Sequence, residues 1–340
     1  MPAPDMLYLG IEIGGTKLQL GVSAADGSDW AAFERYDVDA RRGAAGILEQ
    51  IERGGTDLLR RFDVARIGVG FGGPVDSTTG RVIKSHQIDG WDGVALGDWL
   101  TQRLGRPARI GNDCDVAALA EASFGAGRGR NPVFYVTVGT GVGGGLVSGG
   151  RIHGAGRPAA AEIGHLRPGL AAERPNLTVE SIASGRGIEA AARAALGGPP
   201  APGWEAAYRG LPAAAAGWHA ATPAWTDDLL QRAGGERERI TARMVAEAAA
   251  AGNPVAVAIV GGACRALGWA IAQVIALVAP QTVIVGGGVA LIGEALFFQP
   301  LRREVQRYVF PPLANSYEVV AAALGEAAVV HGAVALAAAE

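Results

Sequence analysis

The chain has 340 residues, 49% of them hydrophobic and 19% charged, with a formal net charge of −3. That length accommodates two domains with cores of their own, and that charge gives no electrostatic reason to expect a nucleic acid or a membrane surface as a partner. Cys114 and Cys264 are its only cysteines, too few for a disulfide scaffold or a cysteine-built zinc site. No basic and apolar leader opens the chain, and no run approaches the ~20 uninterrupted apolar residues of a membrane span, so a cytoplasmic protein is expected.

Leu7, Leu9, Ile11 and Ile13 alternate, as do Leu18, Leu20 and Val22, and the Gly14-Gly15-Thr16 turn between them makes this a β-hairpin. Ile47, Ile51, Leu58, Leu59 and Phe62 predict a helix over 44–62, although Gly54 and Gly55 each cost about 1 kcal/mol in a helix interior. The run RIGVGFGGPVD at 66–76 reads as a buried strand entering a Gly-Gly-Pro turn, and Leu96, Trp99, Leu100 and Leu104 mark a helix over 94–104. After Gly105 and Pro107 a brief strand gives way at Asn112-Asp113 to a helix that stops near Gly125. This alternation makes 1–125 an α/β domain.

The second domain, 126–323, opens with a hairpin over 133–147 that repeats the form of the first, with glycines at 139, 141, 143, 144 and 145 around Thr140. A helix is expected over 178–195. From 196 to 238 the composition shifts to Ala, Gly and Pro, with Trp204, Trp218 and Trp225 among them, and reads as an insertion bordering a cleft or a subunit interface. Helices follow at 240–251 and 254–279, the latter apolar nearly all round and therefore buried. Thr282 to Val285 form a strand running into Gly286, Gly287 and Gly288, and an Ala-rich helix over 324–339 can pack back on the core.

The chemistry gathers at the glycines. Gly14 and Gly15 with Thr16 and Lys17, Gly139 and Gly141 with Thr140, and the 286–288 triplet each end a strand. One such cluster alone is a tight turn. Three together fit one nucleotide held between two domains, because glycine lets backbone N–H groups close on an anion. Gly139, Gly141 and Gly144 match G-x-G-x-x-G, but a strand follows where the dinucleotide fingerprint requires a helix, and no G-x-x-x-x-G-K-[ST] occurs. Asn112-Asp113 alone would be a helix cap. Beside phosphate loops, an Asp ionised at neutral pH suits a general base, taking a hydroxyl proton as that oxygen attacks a γ-phosphoryl group. Glu162 and His165, with Glu180 beyond, suit the hydroxyls of a polyol.

These residues resemble the ROK sugar kinases, within the hexokinase and actin-like ATPase superfamily, over nearly the whole chain. Ile11 to Lys17 is similar to the family's first phosphate segment, Gly68 to Asp76 to its G-x-G-x-P-G-P-V-D loop and Asn112-Asp113 to its catalytic pair. Gly139 to Gly145 resembles its second phosphate segment, Glu162 to His165 its E-x-G-H sugar motif and Gly286 to Gly288 its adenosine segment; Trp91-Asp92-Gly93, Leu324-Gly325 and Gly332-Ala333 also fall where the family has similar residues. The resemblance implies two α/β, ribonuclease H-like domains around a central cleft, ATP and Mg²⁺ as cofactors, and a homodimer. It makes Asp113 the base, Gly73, Asn112, Glu162, His165 and Glu180 the sugar site, and the three glycine segments the ATP site, with Glu12 an indirect Mg²⁺ contact. Glu12 stands where most members have Asp, Gly72 replaces a Pro, Ala161 replaces the Gly before the sugar-binding Glu, and 166–179 lacks the C-x-C-G-x-x-G-C zinc motif. The expected function is ATP-dependent phosphorylation of a hexose, glucose at its 6-hydroxyl first, with fructose, mannose or an N-acetylhexosamine as alternatives and polyphosphate as a rival donor. A non-catalytic sugar sensor or regulator is the alternative from another class.

Overall fold

The computed structural model describes residues 6–339 other than 28, 86, 155, 158, 169–175 and 198–222. In chain order the elements are β1 (Leu7–Ile13), β2 (Lys17–Ala24), β3 (Trp30–Asp37), α1 (Gly43–Arg61), β4 (Val64–Phe71), β5 (Val75–Asp76), β6 (Arg81–Val82), α2 (Leu96–Leu104), β7 (Ala108–Asn112) and α3 (Asp113–Ser123). There follow β8 (Val133–Val138), β9 (Val142–Ser148), β10 (Arg151–Ile152), α4 (Val179–Ala183), α5 (Gly185–Ala195), α6 (Pro223–Arg232), α7 (Ala242–Ala250) and α8 (Pro254–Val278). The chain ends with β11 (Thr282–Gly286), α9 (Gln299–Tyr308), β12 (Glu318–Ala321) and α10 (Ala328–Ala338). Most of the expected insertion, with Trp204 and Trp218, lies outside the described residues.

Two compact units divide the chain: one takes Met1–Tyr135, Gly145–Ala161 and Ala322–Glu340, the other Val136–Gly144 and Glu162–Ala321. In the first, a five-stranded sheet runs β3-β2-β1-β4-β7, with β1 antiparallel to β2 and parallel to β4, and β4 parallel to β7. The alternation in β1 and β2 buries Leu9, Ile11, Ile13, Leu18 and Leu20 against Ile47, Ile51 and Leu58 of α1. Burying each such side chain is worth about 1.5–3 kcal/mol. The two glycines that weaken α1 stand where its neighbours press on it: a Cβ at Gly54 would lie 2.6 Å from the Tyr36 hydroxyl, and one at Gly55 2.9 Å from Leu104. Helix α10 crosses the sheet at backbone distance. A Cβ at Gly10 would lie 2.5 Å from the Val330 carbonyl oxygen, and one at Gly68 would strike that of Ala333.

The second five-stranded sheet is ordered β10-β9-β8-β11-β12, and the unit boundary passes through β8 and β9. In the second unit α8 buries nearly its whole circumference. It is long and apolar enough to cross a membrane, which the run-length rule did not anticipate, but 83% of its most apolar window is buried inside the structure, so its apolarity is that of a core helix. The expected single helix over 178–195 is instead two. Ser184 is extended (φ −70°, ψ 166°) and buried, and its Oγ accepts from the Gly187 N–H at 3.1 Å, capping α5 and ending α4. Serine competes for backbone hydrogen bonds in this way, which favours caps over helix interiors.

Candidate active site

In the first unit, sheet register aligns the carboxyl ends of three neighbouring parallel strands: Ile13 pairs with Phe71, and Phe71 with Asn112. Ligands of open α/β sheets bind beyond such ends. Past them come the Gly14-Gly15-Thr16 turn, the Gly72-Gly73 turn and Asp113, the first residue of α3. The Gly72 N–H donates to the Ile13 carbonyl at 2.9 Å, joining the first two turns. Asn112, not Asp113, is the cap: its Oδ1 accepts from the Cys114 N–H at 2.9 Å while its Nδ2 donates to the Gly73 carbonyl at 2.9 Å. Asp113 Oδ1 also accepts from Cys114 N–H, at 2.9 Å. Its Oδ2 lies 3.7 Å from where a Gly72 Cβ would stand, and the Gly14 Cα lies 3.7 Å from the same point. The base candidate and the phosphate hairpin therefore meet at Gly72.

Glu12 is buried, and burial pushes its pKa up to about 7 even though the Lys17 ammonium is 3.3 Å away. Desolvation outweighs that attraction, and the Asp113 charge adds to the rise. Lys17, expected at the phosphates, also donates to the Glu326 carbonyl at 3.3 Å. With its amide oriented to satisfy its neighbours, Gln19 donates to Glu12 Oε2 at 2.5 Å and to the Glu326 carbonyl at 3.3 Å. Thr16 is exposed on the turn.

The second unit holds the other group. The Gly139 N–H closes its turn on the Gly141 carbonyl at 2.9 Å, and the Gly139 carbonyl accepts from the Gly185 N–H at 2.7 Å. Glu180 Oε2 accepts from the Val142 N–H at 2.9 Å and would lie 2.5 Å from a Cβ on Gly141, so this carboxylate underpins the glycine turn. Glu162 and His165 flank a 3-10 turn, Ile163–His165, in which Glu162 is the N-cap residue and makes no side-chain capping bond. Burial raises the Glu162 pKa; His165 opposes this and Glu180 adds to it. A Cβ on Gly164 would strike the Val142 carbonyl, so Glu162, His165, Glu180 and the 139–142 turn converge. Ala161, just before them, is held at φ +60°. That costs an L-residue about 1–2 kcal/mol, so the departure from glycine there is strained.

Gly287 has φ +88°, and a Cβ on it would lie 2.5 Å from the Val138 carbonyl oxygen, so the 286–288 turn rests on the end of β8. Beside both turns is a cavity of about 850 Å³ lined by Gly139, Thr140 and Gly288, by Ala242, Ala246 and Ala250 of α7, and by Val289, Leu291 and Ile292. Gly139 and Gly288 have open space where a Cβ would stand. Arg186, Glu189, Arg243 and Glu247 also line it. None of these four was expected from sequence, where the i, i+4, i+8 alanines of α7 were the only signal. The cavity is of ligand size, with walls suited to a nucleoside and exposed turns suited to its phosphates. Among the described residues no three His, Cys, Asp or Glu side chains form a metal-binding group. Glu12 and Asp113, close enough to shift a pKa, suit a Mg²⁺ that arrives on phosphate oxygens with its water.

The ROK family profile matches residues 8–340. The chain belongs to the ROK family. Among its relatives within the family, the glucokinase of Thermotoga maritima is 30% identical over 330 residues, covering 97% of this chain and 96% of that protein. The glucokinase of Streptomyces coelicolor is 29% identical over 337 residues, covering 97% of each. Among solved structures, the ROK glucokinase of Streptomyces griseus in complex with glucose and AMPPNP superposes with a TM-score of 0.76 at 31% identity, covering 98% of this chain and 99% of that one. The ROK hexokinase of Thermus thermophilus superposes with a TM-score of 0.76 at 26% identity, covering 98% of each. The fold is accordingly the mixed α/β fold of the ROK glucokinases, the actin-like ATPase fold.

Proposed function

We propose that this ROK protein is an ATP-dependent glucokinase that transfers the γ-phosphoryl group to the 6-hydroxyl of glucose. The observation that carries the reading is the alignment of Ile13, Phe71 and Asn112, which sets Asp113 against the glycine turns in a chain that matches glucokinases along nearly its whole length. The Val289, Leu291, Ile292 and alanine lining of the 850 Å³ cavity suits a nucleoside, which favours a nucleotide as donor.

Asn112 caps α3 and grips the Gly73 carbonyl, which holds the Asp113 carboxylate at the first turn of the helix. Asp113 accepts the 6-hydroxyl proton as that oxygen forms its bond to the γ-phosphorus and the bond to the ADP oxygen breaks. Glu162 and His165 bind sugar hydroxyls, joined by the Glu180 oxygen that does not support Val142. The backbone amides of the 14–16 and 139–141 turns, with Thr16 and Thr140, orient the phosphates, and Glu12 with Asp113 would hold a phosphate-bound Mg²⁺ through its water. Mg-ATP supplies the transferable group, its metal neutralising phosphate charge. The same reading has the protein cytoplasmic and homodimeric; a monomer mass by light scattering at micromolar concentration would remove the dimer.

ADP release with Mg-ATP over a panel of hexoses and N-acetylhexosamines tests it. Turnover on glucose is expected. Turnover on another sugar alone would move the acceptor, and tight sugar binding without turnover would make the protein a sensor.

A further inference from the structure

Glu121 is a carboxylate with no solvent exposure, near the C-terminal end of α3. Its Oε1 accepts from the N–H groups of Ala323 and Leu324, both at 2.9 Å, and its Oε2 from that of Ala126 at 2.9 Å. Hydrogen bonds to an ionised acceptor are about twice as strong as neutral ones, and a carboxylate at this depth requires them. It lies eight residues along the helix from Asp113, about 12 Å at the helical rise, so phosphoryl transfer makes no direct use of it.

The segment that Glu121 grips continues to Glu326. There the backbone carbonyl takes the Lys17 ammonium and the Gln19 amide, each at 3.3 Å, and these two side chains hold both oxygens of Glu12. The Glu326 side chain reaches Arg35 of β3 at 3.2 Å. A single short stretch, 323–326, thus joins the far end of the base helix to the hairpin that presents Gly14, Gly15 and Thr16. Helix α10, which follows, is locked to α3 as well, since a Cβ on Gly332 would strike the Val116 carbonyl. The connection is made of directional bonds at both ends, two or three residues apart.

We infer that Glu121 is a positioning residue that, through residues 323–326, fixes the Lys17–Glu12 pair of the phosphate hairpin relative to Asp113. The inference rests on the kinase reading for its catalytic consequence, but the mechanical link is testable without nucleotide. Hydrogen–deuterium exchange on the ligand-free protein compares wild type with Glu121→Gln, which keeps the shape and removes the charge. Faster exchange is expected both at 323–327 and in the 14–17 turn. A rise confined to 323–327 would overturn the link. Should Glu121→Gln fail to fold, Lys17→Met cuts the other end of the connection, and unchanged exchange at 323–327 in that variant would overturn it equally.

The catalytic arm is a double-mutant cycle on kcat/KM for Mg-ATP at saturating glucose. Glu121→Gln is expected to lower it by about 2- to 30-fold. Combined with Lys17→Met, it should do little more than the worse single variant, because both cut one connection; losses that multiply would mean two independent roles. A wild-type protein without turnover on any sugar would sink the kinase reading, and the exchange arm would still decide the link.

Discussion

Gly14-Gly15-Thr16 and Gly139-Thr140-Gly141 are similar glycine-threonine turns, each between two strands, and their surroundings differ. The first turn is crowded by its own unit: the Gln87 side chain lies over Gly15, and the lysine that follows the turn is committed to Glu12 and the Glu326 carbonyl. The second is supported from beneath, by Glu180 on the Val142 N–H and Gly185 on the Gly139 carbonyl, and Gly139 opens on the cavity. Two similar turns are therefore built differently. The first turn is tied to charged and polar side chains of its own unit, Lys17 and Glu12 among them, close to Asp113. The second is propped from below and left open toward the cavity at Gly139, the arrangement the proposed nucleotide site needs.

If the first turn is where charge moves, removing the base should have the largest effect. Asp113→Asn is expected to lower kcat by about 10²- to 10⁴-fold. Sugar KM and melting temperature should hardly change, because asparagine keeps an acceptor for the Cys114 N–H in the first helical turn. Wild-type-like kcat would move the base elsewhere and leave the contrast between the turns without chemistry.

Glu12 gives the next effect in size. Its folded pKa of about 7 lies above the 4.5 of the exposed group. Stability from the protonated form is therefore complete below pH 4.5 and lost as pH rises through 7, a difference on the order of 3 kcal/mol. Urea unfolding of the ligand-free protein at pH 5 and pH 8 should show this loss in wild type and much less of it in Glu12→Gln. Parallel profiles would mean that Lys17, and not burial, dominates at Glu12.

The parts of this architecture that were legible in the sequence are those in which a local pattern is the cause. Alternation in 7–13 and 18–22 forms the hairpin because one face of each strand is core, and Asn112-Asp113 marks a junction because asparagine caps the helix that aspartate begins. Strand β3 was not read, since its Trp30 to Asp37 run places Glu34, Arg35 and Asp37 on an edge strand with no fully buried position. The break at Ser184 depends on a serine choosing to cap, which periodicity does not register. Arg186, Glu189, Arg243 and Glu247 come from two separate helices, and only tertiary packing makes them neighbours of a glycine turn. The replacement of glycine by Ala161 was visible as a letter, but its left-handed backbone was not.

The smaller predictions set the two turns against each other directly. Gly139→Ala adds a methyl to open space on the cavity wall, so folding should be unaffected while KM for Mg-ATP rises by about tenfold, the loss of roughly one good contact or 1.4 kcal/mol. Gly15→Ala is the contrasting case. Its Cβ would strike the Gln87 carboxamide, the far end of a flexible side chain on an exposed residue, which swings aside at little cost. A change in kcat/KM of only a few-fold is expected, consistent with surface-type substitutions worth about half a kcal/mol. Gln87→Ala in the same chain should remove most of that, because the carboxamide is gone and only the Cβ, 3.1 Å from the same point, remains. If Gly15→Ala instead matches or exceeds Gly139→Ala, and Gln87→Ala gives no relief, then the methyl meets ligand rather than protein. The first turn would then be as bare a floor as the second, and the contrast between them would fail.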